Sequence, residues 1–229
     1  MRCLRMGDAF PMADIGLLNR IKEIKQLPDK PSVDKLLQLK QEWGSWSSTF
    51  GATLLRGGEI MLIKNEYLSP MGKLIILADA HTIKGVWFHN QKYLGADYDL
   101  QAIPKGENKA ILEVKDWLQR YFAGENPKVN LEILAPEVTD FRRKVLEILV
   151  QIPYGQTTTY KAIAEQVAQL EGKERSSTRA VGGAVGHNPI SLLIPCHRVL
   201  GSKGELTGYA GGIERKIALL RLEGGQATW

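Results

Sequence analysis

This chain of 229 residues carries only two cysteines, Cys3 and Cys196. Two thiols, one of them at the third residue, exclude a disulfide-built scaffold and fit a reducing compartment. Cysteines alone cannot supply a four-ligand metal centre, and the four histidines (His81, His89, His187, His197) show no metal-ligand spacing. No run of about 18 apolar residues occurs, which argues against a membrane-spanning helix. The stretch from Met1 to Asp8 lacks the apolar core of a signal peptide. These absences leave a chain of ordinary globular composition, 44% hydrophobic and 24% charged. That is enough material for one large or two small domains.

The net charge of +5 is unevenly spread. Residues 1–60 hold 9 basic and 7 acidic side chains, residues 61–138 hold 9 and 10, and residues 139–229 hold 12 and 8. The half that contains Cys196 is therefore the basic half. A positive surface favours polyanions such as nucleic acid, although this excess is modest.

The densest information lies in Pro195-Cys196-His197-Arg198-Val199, which follows the apolar run Ile190 to Ile194. A free thiol titrates near ~8.5 and is mostly protonated at neutral pH. A histidine beside it can take the proton and make a strong nucleophile. Arg198 reads as an ion-pair residue, and His81 and His89 read as surface residues.

Three segments follow from the patterning. Residues 1–60 form an extension and linker, with short helices over 15–27 and 33–43 and a Gly/Ser/Thr-rich stretch over 44–58. Residues 61–138 read as a small α/β domain. Leu74–Ala78 and Ile83–Phe88 are strands around an Asp79-Ala80-His81 turn. Asn108 caps a helix over 109–122, with Ile111, Val114, Leu118 and Tyr121 as its apolar stripe, and 129–134 reads as a further strand.

Residues 139–229 read as helical. Thr139 or Asp140 caps a helix to about Leu149, Thr159 caps a second, and a third runs from about Thr178 to Gly186. Two short helices joined by a loop match a helix-turn-helix. The last helix, 213–222, has Ile213, Ile217 and Leu220 as its expected buried residues. The third helix contains Gly182, Gly183 and Gly186. Each glycine costs a helix about 1 kcal/mol relative to alanine. Close approach of a bulky partner such as DNA would account for them, and so would tight packing against another helix.

Several motifs then occur together and in order: Arg179-Ala180-Val181-Gly182-Gly183-Ala184, Asn188-Pro189, Ile194 to Val199, and Gly208-Tyr209-Ala210-Gly211-Gly212. In these the chain resembles the methylated-DNA–protein-cysteine methyltransferases, or O6-alkylguanine-DNA alkyltransferases. The resemblance covers about 61–229 and is densest over 139–229. It implies an α/β domain of ribonuclease H-like type followed by an all-α, helix-turn-helix (winged-helix-like) domain for DNA binding and catalysis. It implies an irreversible, single-turnover repair reaction, in which an alkyl group on O6 of guanine, or less readily O4 of thymine, moves to the protein's own cysteine. No cofactor and no metal are implied. The implied partner is double-stranded DNA containing O6-alkylguanine, acted on by a cytoplasmic monomer with no membrane association.

Position by position, the resemblance makes Cys196 the alkyl acceptor and His197 the base that deprotonates it through a water. Glu223 orients the histidine, Asn188 holds the active-site turn, and Tyr160 helps rotate the nucleotide and donates a proton toward the leaving guanine. Arg179 enters the duplex in place of the flipped base, with Ala180, Gly182 and Gly183 close to the DNA in the minor groove. Val185, Val199, Tyr209 and Ala210 line the guanine pocket. Ala210 stands where some members have serine, and Gly186-His187 replaces a more basic pair. Members with a four-cysteine zinc domain are excluded as a match by the cysteine count. Two other readings compete. A helix-turn-helix module that binds alkylated DNA without repairing it would replace the cysteine. A cysteine hydrolase would need an oxyanion motif, and none is evident.

Overall fold

The computed structural model describes residues 61–224. The helices expected over 15–27 and 33–43, the linker between them and Gly58, and Cys3 lie outside the described residues. A compact unit begins at Leu62 and contains everything below.

Three antiparallel strands form its sheet in the order β1 (Ile63–Ser69), β2 (Gly72–Ala78), β3 (Ile83–Phe88). The β2 run Leu74 to Ala78 is apolar throughout and buried on both faces, as befits a central strand. Gly72 turns the chain into it at φ +109°. Asp79 closes the next turn, its carboxylate accepting from the amides of His81 (2.9 Å) and Thr82 (2.6 Å). Strand β1 was not evident in the sequence. Its polar residues Lys64, Asn65 and Glu66 suit an edge strand that is only half buried.

Helix α1 (Lys109–Phe122) is capped by Asn108, whose side chain accepts from the Ile111 amide at 2.9 Å. Ile111, Val114, Leu118 and Tyr121 are all buried. The strand expected over 129–134 is absent; Leu131–Ile133 forms a short 3₁₀ turn instead. Asn130 accepts from the Glu132 amide at 3.1 Å, a local bond that competes with strand pairing. The segment joins the sheet at a single isolated bridge between Leu134 and Ile83, where the Ala135 amide donates to Ile83 O at 2.9 Å.

Helices α2 (Asp140–Val150), α3 (Tyr160–Leu170) and α4 (Thr178–Gly186) start on Thr139, Thr159 and Ser177, each side chain accepting from an amide of the first turn. A short parallel pair, β4 (Thr158–Thr159) with β5 (Val199–Leu200), ties the start of α3 to the segment after Cys196. Helix α5 (Ile213–Leu222) buries Lys216, Leu219 and Leu220. Ile213, expected inside, is 39% exposed, because it opens the helix directly after Gly212.

One hydrophobic core joins Leu74 and Ile76 of the sheet, Ile111 and Leu118 of α1, and Leu149, Val167 and Val181 of the helices. The outer edge of β3 is also occupied. Val86 donates to Pro189 O and accepts from the Ser191 amide, both at 2.8 Å. The residues leading to Cys196 are thus fastened to the sheet as a short extra strand.

Candidate active site

The segment from Asn188 to Arg198 brings the reactive groups together. Asn188 is 3% exposed and satisfies the turn from inside. Its Nδ2 donates to Ile194 O (2.8 Å), to Ile190 O (3.2 Å) and to Cys196 Sγ (3.1 Å), while its Oδ1 accepts from the Ile190 amide (3.0 Å). Leu192 adopts φ +73°, a left-handed conformation that a leucine holds only when its surroundings enforce it. Cys196, His197 and Arg198 then form a 3₁₀ turn and are all buried.

Glu223 is the centre of the network behind this turn. Its Oε1 accepts from His197 Nε2 (2.8 Å), Tyr121 Oη (2.7 Å) and Arg198 Nη2 (2.9 Å). Its Oε2 accepts from Arg198 Nε (2.8 Å) and the Gly155 amide (3.2 Å). The remaining Arg198 nitrogen, Nη1, donates to Ile152 O at 2.6 Å. Burial pushes the Glu223 carboxyl up, but the hydrogen bonds from His197 and Arg198 outweigh it and hold the group well below the usual carboxylate range. Arg198 is the ion-pair residue that its sequence context suggests.

The tautomer of His197 follows. A carboxylate can only accept, so Nε2 carries the proton, and Nδ1 is the basic nitrogen. Nδ1 is buried without a protein partner. Burial lowers the imidazole's affinity for a proton, and Glu223 only partly restores it. Burial likewise pushes the Cys196 thiol up, against the Asn188 hydrogen bond and the charge of Lys216. The resting pair is a neutral thiol beside a neutral imidazole.

Lys216 was not singled out from the sequence. It is fully buried, and its Nζ donates to Val199 O (2.5 Å) and Thr207 O (2.8 Å). Burial brings it down to about 8, and the nearby Cys196 sulfur acts to keep its proton on. The available signal was a lysine on the apolar stripe of α5, three residues before Leu219. Arg215 was missed as well. It donates to Met71 O (2.8 Å), Gly211 O (2.7 Å) and Asn90 Oδ1 (2.8 Å), and its guanidinium lies 4.5 Å from the centre of the Phe88 ring. It links the β1–β2 turn to the Tyr209–Gly212 loop. The same loop is held by the Lys92 amide, which donates to Ala210 O at 2.9 Å.

The other expected residues are distributed around this centre. Tyr209 buries its hydroxyl without a partner and sets its ring edge-on to His197. Tyr209 and Ala210 border a cleft of 610 Å³ that Met71, Lys92 and Arg215 also line. Val185 and Val199 are packed into the core, 4% and 0% exposed. Tyr160 opens α3, donates to Gly208 O at 3.4 Å, and has its hydroxyl raised by burial. Tyr160, Arg179 and Gly182 line a shallower groove of 340 Å³ with Thr178 and Thr207.

Helix α4 resolves the question its glycines raise. A Cβ built on Gly183 or Gly186 would meet nothing within 4 Å, and one on Gly182 would meet only Tyr160, at 3.9 Å. Packing against another helix therefore does not explain them. Arg179, Ala180 and Gly183 lie exposed on the same side.

A buried cysteine, the single one among the described residues, is backed by a His–Glu–Arg network beside the open glycine face of a helix-turn-helix, and this defines a DNA-directed protein with a protein nucleophile. Comparison with known proteins assigns the family. Residues 140–225 match the family described as "6-O-methylguanine DNA methyltransferase, DNA binding domain". The methylated-DNA–protein-cysteine methyltransferase of Mycobacterium tuberculosis (strain H37Rv) is 40% identical over 159 residues, covering 69% of this chain and 90% of that one. The same-named protein of Methanosarcina barkeri is 40% identical over 176 residues, covering 77% and 92%. The crystal structure of Mycobacterium tuberculosis OGT in complex with DNA superposes with a TM-score of 0.59 at 36% identity, covering 71% of this chain and 91% of that one. The chain belongs to the methylated-DNA–protein-cysteine methyltransferase family.

Proposed function

We propose that this protein repairs DNA by moving an alkyl group from O6 of guanine, and less readily from O4 of thymine, onto Cys196, once per molecule. The observation that carries the reading is Cys196 itself, buried beside Asn188 and joined to a histidine whose outer nitrogen is locked by Glu223. The names of its relatives and the DNA complex of one of them support the same reaction.

The chemistry follows from the resting protonation states. The thiol proton passes to His197 Nδ1, the one basic nitrogen available, through a bridging water. The imidazolium is stabilised by the Glu223 carboxylate, which also keeps the ring in place. The thiolate attacks the alkyl carbon, a C–S bond forms, the C–O6 bond breaks, and its electron pair stays with guanine. Tyr160 supplies a proton toward the leaving base and is reprotonated by the proton held on the His197 imidazolium, so the one proton lost by the thiol ends on guanine. The thioether has no easy route to hydrolysis, so turnover stops at one.

A base inside a duplex cannot reach a buried sulfur, so it must be flipped out, at about a few kcal/mol. Arg179 takes its place in the stack. Ala180, Gly182 and Gly183 let the backbone of the minor groove approach. Tyr209 and Ala210 line the guanine pocket, and Val185 and Val199 contribute to it from the core, where both are buried. We assign residues 61–138 to a ribonuclease H-like domain and 139–229 to a winged-helix-like alkyltransferase domain, with 1–60 as an extension. The protein acts without cofactor as a cytoplasmic monomer, and no helix among the described residues is long and apolar enough to cross a membrane.

The test is label transfer. The protein is incubated with duplex DNA carrying a radiolabelled methyl group on guanine O6, and label on protein is counted. One equivalent on the wild type and none on Cys196→Ala is expected. Tight binding without label would favour a module that recognises alkylated DNA and does not repair it. Repeated turnover would point to a hydrolase.

A further inference from the structure

Helix α4 carries an open trough on its exposed side. Its floor is Ala180, Gly182, Gly183 and Gly186, and among these only alanine has a side chain at all. Arg179 stands at one end. The other end is closed by His187, which lies on the same arc, four residues after Gly183. His187 Nδ1 donates to Gly183 O at 2.7 Å, which folds the ring back over the helix end.

Tyr93 stacks on that ring, with centroids 3.8 Å apart and planes 25° from parallel. Tyr93 comes from the loop after β3, far away in sequence. It is 52% exposed and holds φ +60°, a conformation a tyrosine adopts at a cost. The loop is anchored one residue earlier, where the Lys92 amide donates to Ala210 O at 2.9 Å. A half-exposed aromatic pair held in a strained loop, beside a lysine and at the end of a glycine trough, has no role in the core.

We propose that the Tyr93–His187 stack is an end wall of the DNA-binding trough and contacts the sugar-phosphate backbone of the strand that lies on α4. This rests on the alkyltransferase reading above and extends its DNA surface to the loop after β3. Arg179 and His187 are eight residues apart, about 12 Å along a helix axis. One strand advances about 3.4 Å per nucleotide, so the stack meets the backbone between three and four nucleotides from the site of arginine insertion. Flat rings suit the apolar face of a deoxyribose, and the adjacent Lys92 suits a phosphate.

The experiment compares wild type, Tyr93→Ala and Tyr93→Phe in two assays. The first is affinity for a duplex containing O6-methylguanine. The second is label transfer from free-base O6-methylguanine, which has no backbone to contact. Tyr93→Ala is expected to weaken duplex binding about tenfold, as loss of one aromatic contact does, and to leave free-base transfer within about twofold. Tyr93→Phe keeps the ring and is expected to behave as wild type. Shortening the duplex flank below about three nucleotides should abolish the difference between wild type and Tyr93→Ala. Unchanged duplex affinity in Tyr93→Ala, or an equal loss in both assays, would overturn the proposal, the latter by showing that the stack only supports the pocket. Wild type that accepts label from neither substrate would instead sink the alkyltransferase reading, and this proposal with it.

Discussion

Replacing Glu223 by glutamine tests the network behind the nucleophile with almost no change in volume. The carboxylate accepts five hydrogen bonds from four residues, two of them from the Arg198 guanidinium, whose side chain is 10% exposed. An amide has one accepting oxygen and brings two donors of its own. Whichever way it turns, an N–H opposes either the Arg198 Nε and Gly155 amide or the His197–Tyr121 side, and the arginine loses its counter-charge. Stranding one member of a buried pair costs about 3–5 kcal/mol, and the retained oxygen places this variant near the lower figure. A domain of this size loses about 2–4 °C in Tm per kcal/mol, so a fall of roughly 6–12 °C is expected. The pH dependence fixes the sign. The folded carboxyl titrates below its ordinary 4.5, so its contribution is complete above that value and drains away as pH falls. Wild-type and variant melting temperatures should therefore be furthest apart near neutrality and converge on acidification. Label transfer should fall by about two orders of magnitude, because in either orientation His197 loses the negative charge that stabilises its imidazolium. The pair Arg198→Met, Glu223→Leu removes the stranded charge and should be more stable than Glu223→Leu alone while remaining slow. A Glu223→Gln protein with wild-type transfer and a Tm loss of under about 2 °C would refute the assignment.

Lys216→Met removes the positive charge that favours the Cys196 thiolate, so the transfer rate should reach its half-maximum at a higher pH than in the wild type; identical profiles would show that the lysine does not act on the sulfur. Arg215→Met cuts three hydrogen bonds, one each to the β1–β2 turn (Met71 O), the pocket loop (Gly211 O) and the loop after β3 (Asn90 Oδ1). It should slow label transfer about tenfold, the equivalent of about 1.4 kcal/mol, while duplex affinity stays within about twofold; a loss confined to affinity would contradict it. Gly183→Ala adds a methyl group where a Cβ meets nothing within 4 Å. Thermal melting should show a gain of about 1 kcal/mol from helix propensity, and a binding assay on the same sample should show weaker DNA binding; gain or loss in both together would disprove the trough.

How far the sequence carried depended on whether local rules decided the outcome. The helix starts at Asn108, Thr139 and Thr159 were legible because a cap is a local hydrogen bond. Strands β2 and β3 were legible because their residues are apolar and bounded by turn formers. The 129–134 segment failed because Val-Asn-Leu-Glu-Ile-Leu alternates like a strand, while Asn130 offers the backbone a nearer partner. Strand β1 failed for the opposite reason, since its pairing comes from β2 and not from its own pattern. Within the site, Cys196, His197 and Asn188 lie within nine positions and carry a motif. Glu223 depended on how α5 docks, and Tyr121, which donates to it, lies 102 positions away on α1. Lys216 and Arg215 were invisible for the same reason, since their partners Thr207, Met71 and Asn90 are neighbours only in space.

The glycines of α4 show what a violated local rule is worth. Three of them cost a nine-residue helix about 3 kcal/mol in propensity, which the sequence alone could attribute to DNA or to a neighbouring helix. The structure separates these, because tight packing would leave the missing Cβ positions filled, and two of the three are open. The cost is met elsewhere. Ser177 caps the helix, and Val181, Ala184 and Val185 bury its other face. A helix anchored so firmly on one side can leave the opposite side bare. The bare side has ends, Arg179 and the Tyr93–His187 stack, and it adjoins the turn that holds Cys196. A surface under no internal packing demand, kept without side chains at a cost to stability, is shaped for something outside the protein. With a buried nucleophile beside it, that something must deliver its reactive atom inward, as a duplex does when a base leaves the stack.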